Sequence, residues 1–575
     1  MYVRRTQRKR SDGSVVGYLQ LAHNRRVGSQ TTAEVLVNLG REDQLDAVGL
    51  RRLAGSITRY LDGEGADPAV SGEADGLRVV SSRTYGALWL LDQLWASLGI
   101  ASALGGVLDE RRFTTDVERV LFALVANRAV APSSKLAASE WATADAAVPR
   151  LDAMDEDQAY RAMDLLVEAD AQGAVQEAVF FAAADLLNLE VDLLFFDTTS
   201  TYFERDTPDP VGEDGAAPFR AYGHSKDHRA DLPQVVIGLA VTREGIPVRV
   251  WCWPGNTSDM SVISEVKDDL RGWRLGRVIT VVDRGFSSDA NLAYLTRTGG
   301  HWIAGERMRD GSADAQEALS RQGRYQTVRD NLRVKEVLIG DGDARKRFIV
   351  CHNPAEAERQ KTQRTATIER LEAELARLRD ERSRLAQAAT KKTAAGQRAK
   401  QRLGEAHTRA ECALRDHPAL GRYLRQTTSG RLLIDRSKIQ AEERLDGKYL
   451  LSTSDPSLSA EDVALGYKNL LEAERGFRDL KGILELRPVY HRLEQRIRAH
   501  VTLCWLALLL VRVIERQTAQ TWRQLSRELN RLHLVTLEGT AGTVTQTTSL
   551  TDAQRAIYTA CSVDPPPPIT AISPA

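Results

Sequence analysis

The sequence predicts an α/β protein with a mixed-sheet core, a large insertion that interrupts this core and contains a helical coiled-coil segment, and a helical N-terminal region. Three observations predict this fold class. Apolar residues follow helical spacing from about residue 80 to residue 190. Short β-type runs then alternate with helical runs up to residue 304. A stretch rich in Arg, Glu, Ala and Gln follows, and helical spacing returns at residue 459.

The composition is that of a globular protein with several folding units. The chain has 575 residues, of which 42% are hydrophobic and 27% are charged, and this excludes a peptide hormone or a largely disordered chain. Lys plus Arg and Asp plus Glu both number 78, so the net charge neither favours nor excludes a polyanionic partner. The five cysteines form no CxxC pair, which predicts buried free thiols rather than a zinc or redox site.

The first 30 residues are basic and predict a β-hairpin. Two alternating stretches flank a Ser-Asp-Gly-Ser turn at residues 11–14, in which Asp12 is the only acid of the segment. Such a hairpin is either a sequence-independent contact for phosphate groups or a solvated sheet edge. The side chains that would make the phosphate contact are basic residues of the first strand, namely Arg4, Arg5, Arg8, Lys9 and Arg10.

No segment is predicted to enter a membrane. The longest apolar run, residues 501–511, is shorter than the ~20 residues of a membrane span and predicts a buried core helix. Because no apolar segment follows the basic start of the chain, we expect no secretory signal and a cytoplasmic protein.

Strands and helices alternate in the predicted core, in the order β, β, β, α, β, α, β. Asp197 and Asp283 each end an apolar strand of this series. Ligands of α/β sheets bind beyond the carboxyl ends of strands, so the two carboxylates are expected to converge. The seven elements are predicted at residues 191–197, 234–241, 248–253, 260–270, 278–282, 289–296 and 301–304.

Residues 308–458 depart from this alternation. Leucines at heptad-like spacing predict a long exposed helix within a helical hairpin. Two arrangements remain open, namely an antiparallel pair packed within one chain and a coiled coil between chains. A strand at residues 448–454 returns the chain to the core. The heptad positions are Ile368, Leu371, Leu375, Leu378 and Leu385.

A third acid is predicted on the helix that begins at Ser459. In this helix Tyr467, Glu474 and Lys481 are spaced by seven residues, two turns each, and so share one face. Together with the two aspartates, Glu474 would complete an all-oxygen site for hard divalent cations. The alternative is a solvated charged face in which Glu474 pairs with Arg478.

The segment from Tyr467 to Lys481 resembles the Y-(2)-R-(3)-E-(6)-K signature of the DDE transposases of bacterial insertion sequences, specifically their IS-four type group. Glu474 matches the signature's acid, whereas Leu470 stands at its arginine position. Together with the signature, further motifs cover about residues 190–510. These further motifs are FDTT at 196–199, GNTSD at 255–259, VDRGF at 282–286 and RPVYH at 487–491, with Arg496, Ile497 and His500 after the last.

This resemblance implies a ribonuclease-H-like catalytic core in which Asp197, Asp283 and Glu474 bind two Mg²⁺ ions, with Mn²⁺ as a substitute. It implies that water cuts DNA at the terminal inverted repeats of the element and that the freed 3′-hydroxyl attacks target DNA. It also implies that residues 308–458 are the insertion that this group carries between the last core strand and the Glu helix. Some relatives stack a flipped base on a tryptophan of this insertion while they form a DNA hairpin. Because residues 308–458 contain no tryptophan, a hairpin intermediate is not implied.

The resemblance also implies contacts with double-stranded DNA. Tyr467 and Lys481 are expected to hold phosphates near the cut, together with Arg284. Because Leu470 replaces the signature arginine, the phosphate contact of that arginine is either absent or made by Arg475 or Arg478. A homodimer is expected in the DNA-bound synaptic complex, and the expected location is the bacterial nucleoid.

Two other functions stay open: a metal-dependent DNA nuclease that cannot join strands, and a noncatalytic DNA-binding scaffold organised by the coiled coil. His224 and His228 are predicted to lie in a polar loop rather than in a metal site. The predicted domains are a basic β-hairpin and linker (1–80), a helical region that binds DNA ends (81–190), the first part of the catalytic core (191–307), the insertion (308–458), the second part of the core with the Glu helix and C-terminal helices (459–535), and a tail (536–575).

Overall fold

A computed structural model describes most of the chain, which forms two compact units. The first unit comprises Met1–Gly86, Leu529–Arg555 and Asp564–Ala575, and the second comprises Ala87–Glu528 and Ala556–Val563. The described residues are 2–9, 15–27, 30–41, 77–108, 116–170, 173–212, 215, 217–273, 275, 278–309, 311–342, 345–428, 431–539 and 542–574.

The strands and helices of the described residues are as follows. The N-terminal elements are β1 (Tyr2–Lys9), β2 (Val15–Val27), β3 (Gln30–Arg41), β4 (Arg78–Thr84), α1 (Gly86–Ser97), α2 (Ile100–Leu108), α3 (Val117–Val130), α4 (Lys135–Ala144), α5 (Glu156–Ala169) and α6 (Ala174–Leu186). Next come β5 (Leu193–Tyr202), β6 (Gln234–Thr242), β7 (Pro247–Pro254), α7 (Ile263–Arg271), β8 (Ile279–Val282), α8 (Asp289–Thr296) and β9 (His301–Glu306). The following stretch contains α9 (Ala313–Ser320), β10 (Gln326–Arg329), β11 (Leu332–Ile339), β12 (Lys346–His352), α10 (Pro354–Ala389), α11 (Ala394–Arg415), β13 (Leu424–Gln426), β14 (Leu432–Ile434), α12 (Arg436–Glu443) and β15 (Lys448–Thr453). The last elements are α13 (Ala460–Lys468), α14 (Leu471–Gly482), α15 (Glu494–Thr518), α16 (Trp522–Leu529), β16 (His533–Gly539), β17 (Gly542–Thr547), α17 (Asp552–Ala560) and β18 (Ile569–Pro574).

The first unit begins with a three-stranded antiparallel sheet. β1 pairs with β2 in a register that runs from Tyr2↔Ala22 to Lys9↔Val15, which confirms the predicted hairpin. β3 pairs with the other edge of β2 and was not predicted. The predicted turn at residues 11–14 lies outside the described residues.

The first unit also contains a four-stranded sheet in the order β18-β17-β16-β4. The prediction that helical structure begins at about residue 80 is wrong, because β4 occupies residues 78–84 and pairs with β16. The predicted tail, residues 536–575, contains part of β16 and also β17, α17 and β18, and β18 pairs with β17. β4 contains Val79, Val80 and Thr84, and β-branched residues favour strands. Its partner β16 lies far away in the sequence.

The helical prediction for the region up to residue 190 is confirmed from Gly86 onward. Local sequence explains where two of these helices begin. The side chain of Asp116 accepts a hydrogen bond from the backbone N–H of Arg119 at the start of α3. Asp155 and Gln158 form a capping box at the start of α5.

The second unit is built on a nine-stranded sheet in the order β10-β11-β12-β15-β9-β8-β5-β6-β7. β5, β8 and β9 run parallel, and the other neighbours pair antiparallel. The predicted series β, β, β, α, β, α, β is therefore confirmed as β5 to β9 with α7 and α8. The segment predicted as an insertion adds four strands to this same sheet.

Asp197 does not end its strand, contrary to the prediction. β5 continues to Tyr202, because the β-branched residues after Asp197 keep pairing with β6 as far as Tyr202↔Gln234. The parallel partner β8 is shorter, and its last pair with β5 is Phe196↔Val282. Asp197 therefore lies beside the end of β8, although β5 extends beyond it.

The heptad leucines pack within the chain. Leu371, Leu375 and Leu378 of α10 are buried and form an apolar cluster with Leu414 of α11 and with Tyr423. α10 and α11 contact each other along the hairpin. Of the two arrangements left open, the structure shows the intramolecular one.

α15 is a core helix, as predicted. By length and composition it is the one helix in the described part of the chain that could cross a membrane, but 94% of its apolar window is buried inside the protein. It packs against α3, α5, β7 and α14. Its burial explains the apolar run without a membrane.

Candidate active site

Asp197 lies on β5, and Asp283 directly follows the neighbouring parallel strand β8. Phe196 pairs with Val282 in the register of β5 and β8, so an aspartate comes next in both segments. The hydroxyl of Tyr467 donates a hydrogen bond of 2.8 Å to Oδ1 of Asp283. The convergence that the sequence predicted for these two carboxylates is thus present in the sheet.

The environment of Asp197 disfavours its negative charge. Burial raises the pKa of this carboxyl to about 6, against the opposing effects of Lys226 and of the Thr198 backbone N–H. The nearby charges of Asp283 and Asp259 add to the increase in the pKa. The site therefore concentrates negative charge that its own cations only partly neutralise.

A polar network beside Asp197 was missed by the sequence analysis. The hydroxyl of Thr198 donates to Asp259 at 2.5 Å and accepts from the ammonium of Lys226 at 2.6 Å. Lys226 also lies 3.1 Å from Asp259 and 3.8 Å from Asp197. Asp259 ends the GNTSD motif, and Lys226 lies between the two loop histidines. Both segments carry a sequence signal, but neither contains a pattern that predicts a contact with the other.

The helix that carries Glu474 lies over the strand pair that carries Asp197. Gly476 of α14 faces Leu239 so closely that a Cβ at this position would lie 2.7 Å from the leucine Cδ2. Leu239 is the cross-strand partner of Asp197 in β6. Farther along α14, Lys481 donates to the hydroxyl of Thr199 at 2.8 Å.

Glu474 does not join the two aspartates in this structure. It precedes Lys481 by two helical turns and so lies on the same side of α14, but its side chain is exposed. Among the described residues, no group of three or more Asp, Glu, His or Cys side chains is arranged to hold a metal ion. The role of Glu474 as the third ligand therefore stays a prediction.

The single helix predicted from Ser459 to residue 483 is wrong. The chain forms α13 and α14 instead, and between them the N–H groups of Asn469 and Leu470 bond to carbonyls only three residues back. Tyr467 therefore does not share a helical face with Glu474. The break lets the tyrosine reach Asp283 from α13 while α14 lies on β5 and β6.

The cations predicted to bind phosphate have different surroundings. Lys481 pairs with Asp227 at 2.9 Å, and burial lowers the pKa of its ammonium. Arg475 and Arg478 are both exposed, and Arg475 lies 3.5 Å from Glu515. Their contacts with DNA stay predictions.

A cleft with basic walls opens beside Asp283. A cavity of about 360 Å³ is lined by Asp283, Arg284, Tyr467 and Tyr449, whose ring stacks on that of Tyr467 with centroids 6.1 Å apart. A second cavity, of about 960 Å³, also includes Arg284. Its other cationic lining residues are Arg307, Arg345, Lys346 and Arg347.

Other predicted positions are distributed as follows. Arg4 and Arg5 are exposed on β1, which also contains Arg8 and Lys9, whereas Arg10 lies outside the described residues. The histidine pair lies in a loop between β5 and β6, as predicted. The cysteines are free thiols, as predicted, and four of the five are buried.

Two family models match the chain. One is described as "IS1634 family transposase, N-terminal domain" and matches residues 3–68. The other is described as "Transposase DDE domain" and matches residues 194–510. No curated protein sequence matches the chain. Among solved structures, the chain is similar to one described as the "Cryo-EM structure of piggyBac transposase synaptic complex with hairpin DNA", with a TM-score of 0.33, 10% identity, and coverage of 77% of this chain and 78% of that chain.

Proposed function

Because this chain belongs to the DDE transposase family, whose domain matches more than half of it, we propose that it cuts DNA at the terminal inverted repeats of its own insertion sequence and joins the ends to target DNA. The family match makes the protein a DNA-processing enzyme and confirms the resemblance to DDE transposases of insertion sequences, whereas the Y-(2)-R-(3)-E-(6)-K signature and the IS-four type group stay predictions. The observation that carries the proposal is the pair of carboxylates, Asp197 and Asp283, beside the end of β8 and next to a basic cleft.

DDE transposase domains use divalent metal ions, and the residues present fit such an ion. The available donors are carboxylate oxygens, which hard cations prefer. The raised pKa of Asp197 reflects burial and neighbouring acids, and a divalent cation would relieve this repulsion. We assign two Mg²⁺ ions to Asp197, Asp283 and Glu474. When bound, such ions activate the attacking oxygen and stabilise the leaving oxygen of a phosphoryl transfer.

The chain's own side chains orient this donor set. Tyr467 fixes one oxygen of Asp283 through its hydrogen bond. Lys226 and Asp259 pair with each other and both hydrogen-bond to the hydroxyl of Thr198, which fixes the side chain of the residue after Asp197. Glu474 is exposed on the same side of α14 as Lys481, and its approach to the aspartates when metal binds is part of the proposal.

DNA is the proposed substrate and partner. The cations of the cleft beside Asp283 suit a phosphate backbone, and Arg284 contributes to both cavities. The helical region from α1 to α6 and the basic hairpin are proposed to bind the element's ends. Because two ends must be brought together before joining, the active species is proposed to be a homodimer on DNA.

The test is Mg²⁺-dependent cleavage and joining of DNA that carries the element's flanking repeats. Glu474→Gln is expected to lose at least about 100-fold in cleavage, because removing a metal ligand removes several kcal/mol of transition-state stabilisation. The matched control is Glu472→Gln, on the same helix, whose carboxylate lies 3.8 Å from Arg475 and is not a proposed ligand.

Three outcomes would contradict parts of the proposal. Full activity of Glu474→Gln would exclude Glu474 as a ligand. Cleavage without joined products from precut ends would indicate a nuclease. Equal DNA binding by wild type and variant, with no cleavage by either, would indicate a noncatalytic DNA-binding protein.

A further inference from the structure

A second cluster of buried cations lies in a cavity that contains neither aspartate of the carboxylate pair. The cavity measures about 290 Å³ and lies between α3, α4 and α5 on one side and residues 485–500 on the other. Residues 485–500 include the RPVYH motif, which the proposed chemistry leaves without a role. The charged or titratable side chains that line it are Arg128, Lys135, Glu156, Tyr160, Glu485, Tyr490, His491 and His500.

Arg128 is a buried cation whose hydrogen bonds are incomplete. Its side chain is 3% exposed, and one terminal nitrogen donates to the carbonyl of Glu485 at 3.2 Å. Its Nε and other terminal nitrogen have no partner among the described residues. Buried donors without acceptors are costly, so an acceptor in this cavity would stabilise the protein.

Lys135 is a second buried cation in the same cavity. It is 4% exposed, and its ammonium lies 3.4 Å from Nδ1 of His500. Nε2 of His500 lies 3.0 Å from the carbonyl of Leu486, which assigns the ring proton to Nε2 and leaves Nδ1 as the acceptor for Lys135. The histidine is therefore neutral, and it does not balance the charge of the lysine.

The acidic side chains at this cavity do not neutralise the positive charges of Arg128 and Lys135. The pKa of Lys135 is lowered to about 7, first by burial and then by the charge of Arg128. Glu156 hydrogen-bonds to Tyr160. The carboxylate of Glu485 is exposed, although it raises the pKa of Arg128 against the larger effect of burial.

The start of α4 also faces the cavity. Ser134 is the N-cap of α4, and residues 133–136 all line the cavity wall. The N-terminus of a helix carries a partial positive charge and N–H groups without intrahelical partners. A buried arginine, a buried lysine and a helix N-terminus thus converge on one small space.

We propose that this cavity binds a phosphate group through the unpaired N–H groups of Arg128, the ammonium of Lys135 and the start of α4. Phosphate offers the several acceptor oxygens and the negative charge that these donors lack. The mouth of the cavity is open, since Leu136 is 52% and Tyr490 is 71% exposed. The phosphate belongs either to a DNA backbone or to a free phosphate ion, and only the first source rests on the proposed function.

The first experiment uses inorganic phosphate and the full chain. Thermal unfolding is measured at pH 7 without divalent metal, in sodium phosphate against sodium chloride of equal ionic strength. Phosphate is expected to raise the melting temperature of the wild type by about 2 °C or more, because a ligand bound only by the folded state stabilises it. Arg128→Gln and Lys135→Gln are expected to lose this increase.

A surface variant covers the case in which the buried substitutions prevent folding. Tyr490→Glu places a negative charge at the exposed mouth and is expected to abolish the phosphate response. Val211→Glu, at a position that is 65% exposed and outside this cavity, is the matched control and is expected to retain the response.

The second experiment measures binding of a DNA duplex against salt concentration. If the phosphate belongs to DNA, Tyr490→Glu weakens binding and lowers the slope of log K against log salt by about 0.9 relative to Val211→Glu. A phosphate response with an unchanged DNA slope indicates a free phosphate ion. Absence of both effects, or a phosphate response that survives Tyr490→Glu, overturns the proposal, whatever the outcome of the cleavage assay.

Discussion

The hydroxyl of Tyr467 donates a hydrogen bond of 2.8 Å to Oδ1 of Asp283. Burial and the charge of Asp283 raise the pKa of this tyrosine above its usual value, so the hydroxyl stays a donor at neutral pH. A hydroxyl donor orients the carboxylate without forming an ion pair with it. The hydrogen bond therefore fixes the position of one oxygen of Asp283, a proposed metal ligand.

Tyr467→Phe is expected to lower divalent metal affinity about 10-fold, because partners that orient a ligand typically contribute 10- to 100-fold to affinity. The affinity is measured by titrating Mg²⁺ or Mn²⁺ in the cleavage assay and by calorimetry. Tyr449→Phe is the control, because Tyr449 stacks on Tyr467 but is not bonded to Asp283. Equal affinities of the two variants would contradict an orienting role.

Asp197→Asn is expected to raise stability at pH 7 and above by about 1–3 kcal/mol when no divalent metal is present. The folded-state pKa of about 6 lies above the ordinary value of 3.8, so the buried charge costs its full amount above pH 6. This cost falls as the pH decreases from 6 towards 4, because the folded state then keeps its proton while the unfolded state is ionised.

Chemical unfolding of both proteins between pH 4 and pH 8 checks this prediction. The advantage of the asparagine variant should shrink as the pH decreases. Added Mg²⁺ should stabilise the wild type more than the variant. A variant that is less stable than the wild type at pH 8 without metal would show that the carboxylate contributes favourable contacts that outweigh its burial.

Gly476→Val is expected to destabilise the protein by about 1–3 kcal/mol, because the added side chain would collide with Leu239 and push α14 away from the sheet. Cleavage activity should fall by more than the loss of folded protein explains, since α14 carries Glu474. Gly482→Ala in the same helix is the control, because a Cβ there meets no atom within 4 Å. Thermal unfolding and specific activity measure the two effects separately.

Leu375→Ala is expected to destabilise the α10–α11 hairpin by about 2–5 kcal/mol, because it leaves a cavity among the buried leucines. Hydrogen exchange should increase in residues 354–415 and remain low in β5 to β9. The half-buried Leu385 provides a milder substitution, Leu385→Ala, for comparison. If the leucines instead joined two chains, Leu375→Ala would shift the protein from dimer to monomer in sedimentation experiments.

Local patterns in the sequence predicted the elements of the site more completely than their assembly. Apolar periodicity located β5, β8 and α8, and the motifs identified Asp197, Asp283 and Glu474 as candidates. The break at Asn469 was missed, because the side-chain spacing continues through it and only tertiary contacts reveal two helices.

Pairings between segments that are distant in the sequence could not be predicted from its local patterns either. β4 pairs with β16, for example through Ser82↔Val535, and neither segment contains a signal for the other. The Lys226–Asp259 contact joins two loops that follow different strands. Such contacts depend on the order of strands in the sheet, which periodicity does not encode.

The pairing of β15 with β9 makes one step of folding depend on the progress of translation. Leu450 of β15 pairs with Glu306 of β9, so the ribosome must make the whole segment between them before this edge of the sheet can close. Pairings so distant in sequence form slowly, because a long loop must be ordered first. A nascent chain that already contains Asp197 and Asp283 therefore lacks a finished sheet until β15 has been made, and Glu474 is translated later still. With the role proposed for Glu474, catalytic activity begins only after most of the polypeptide has been translated.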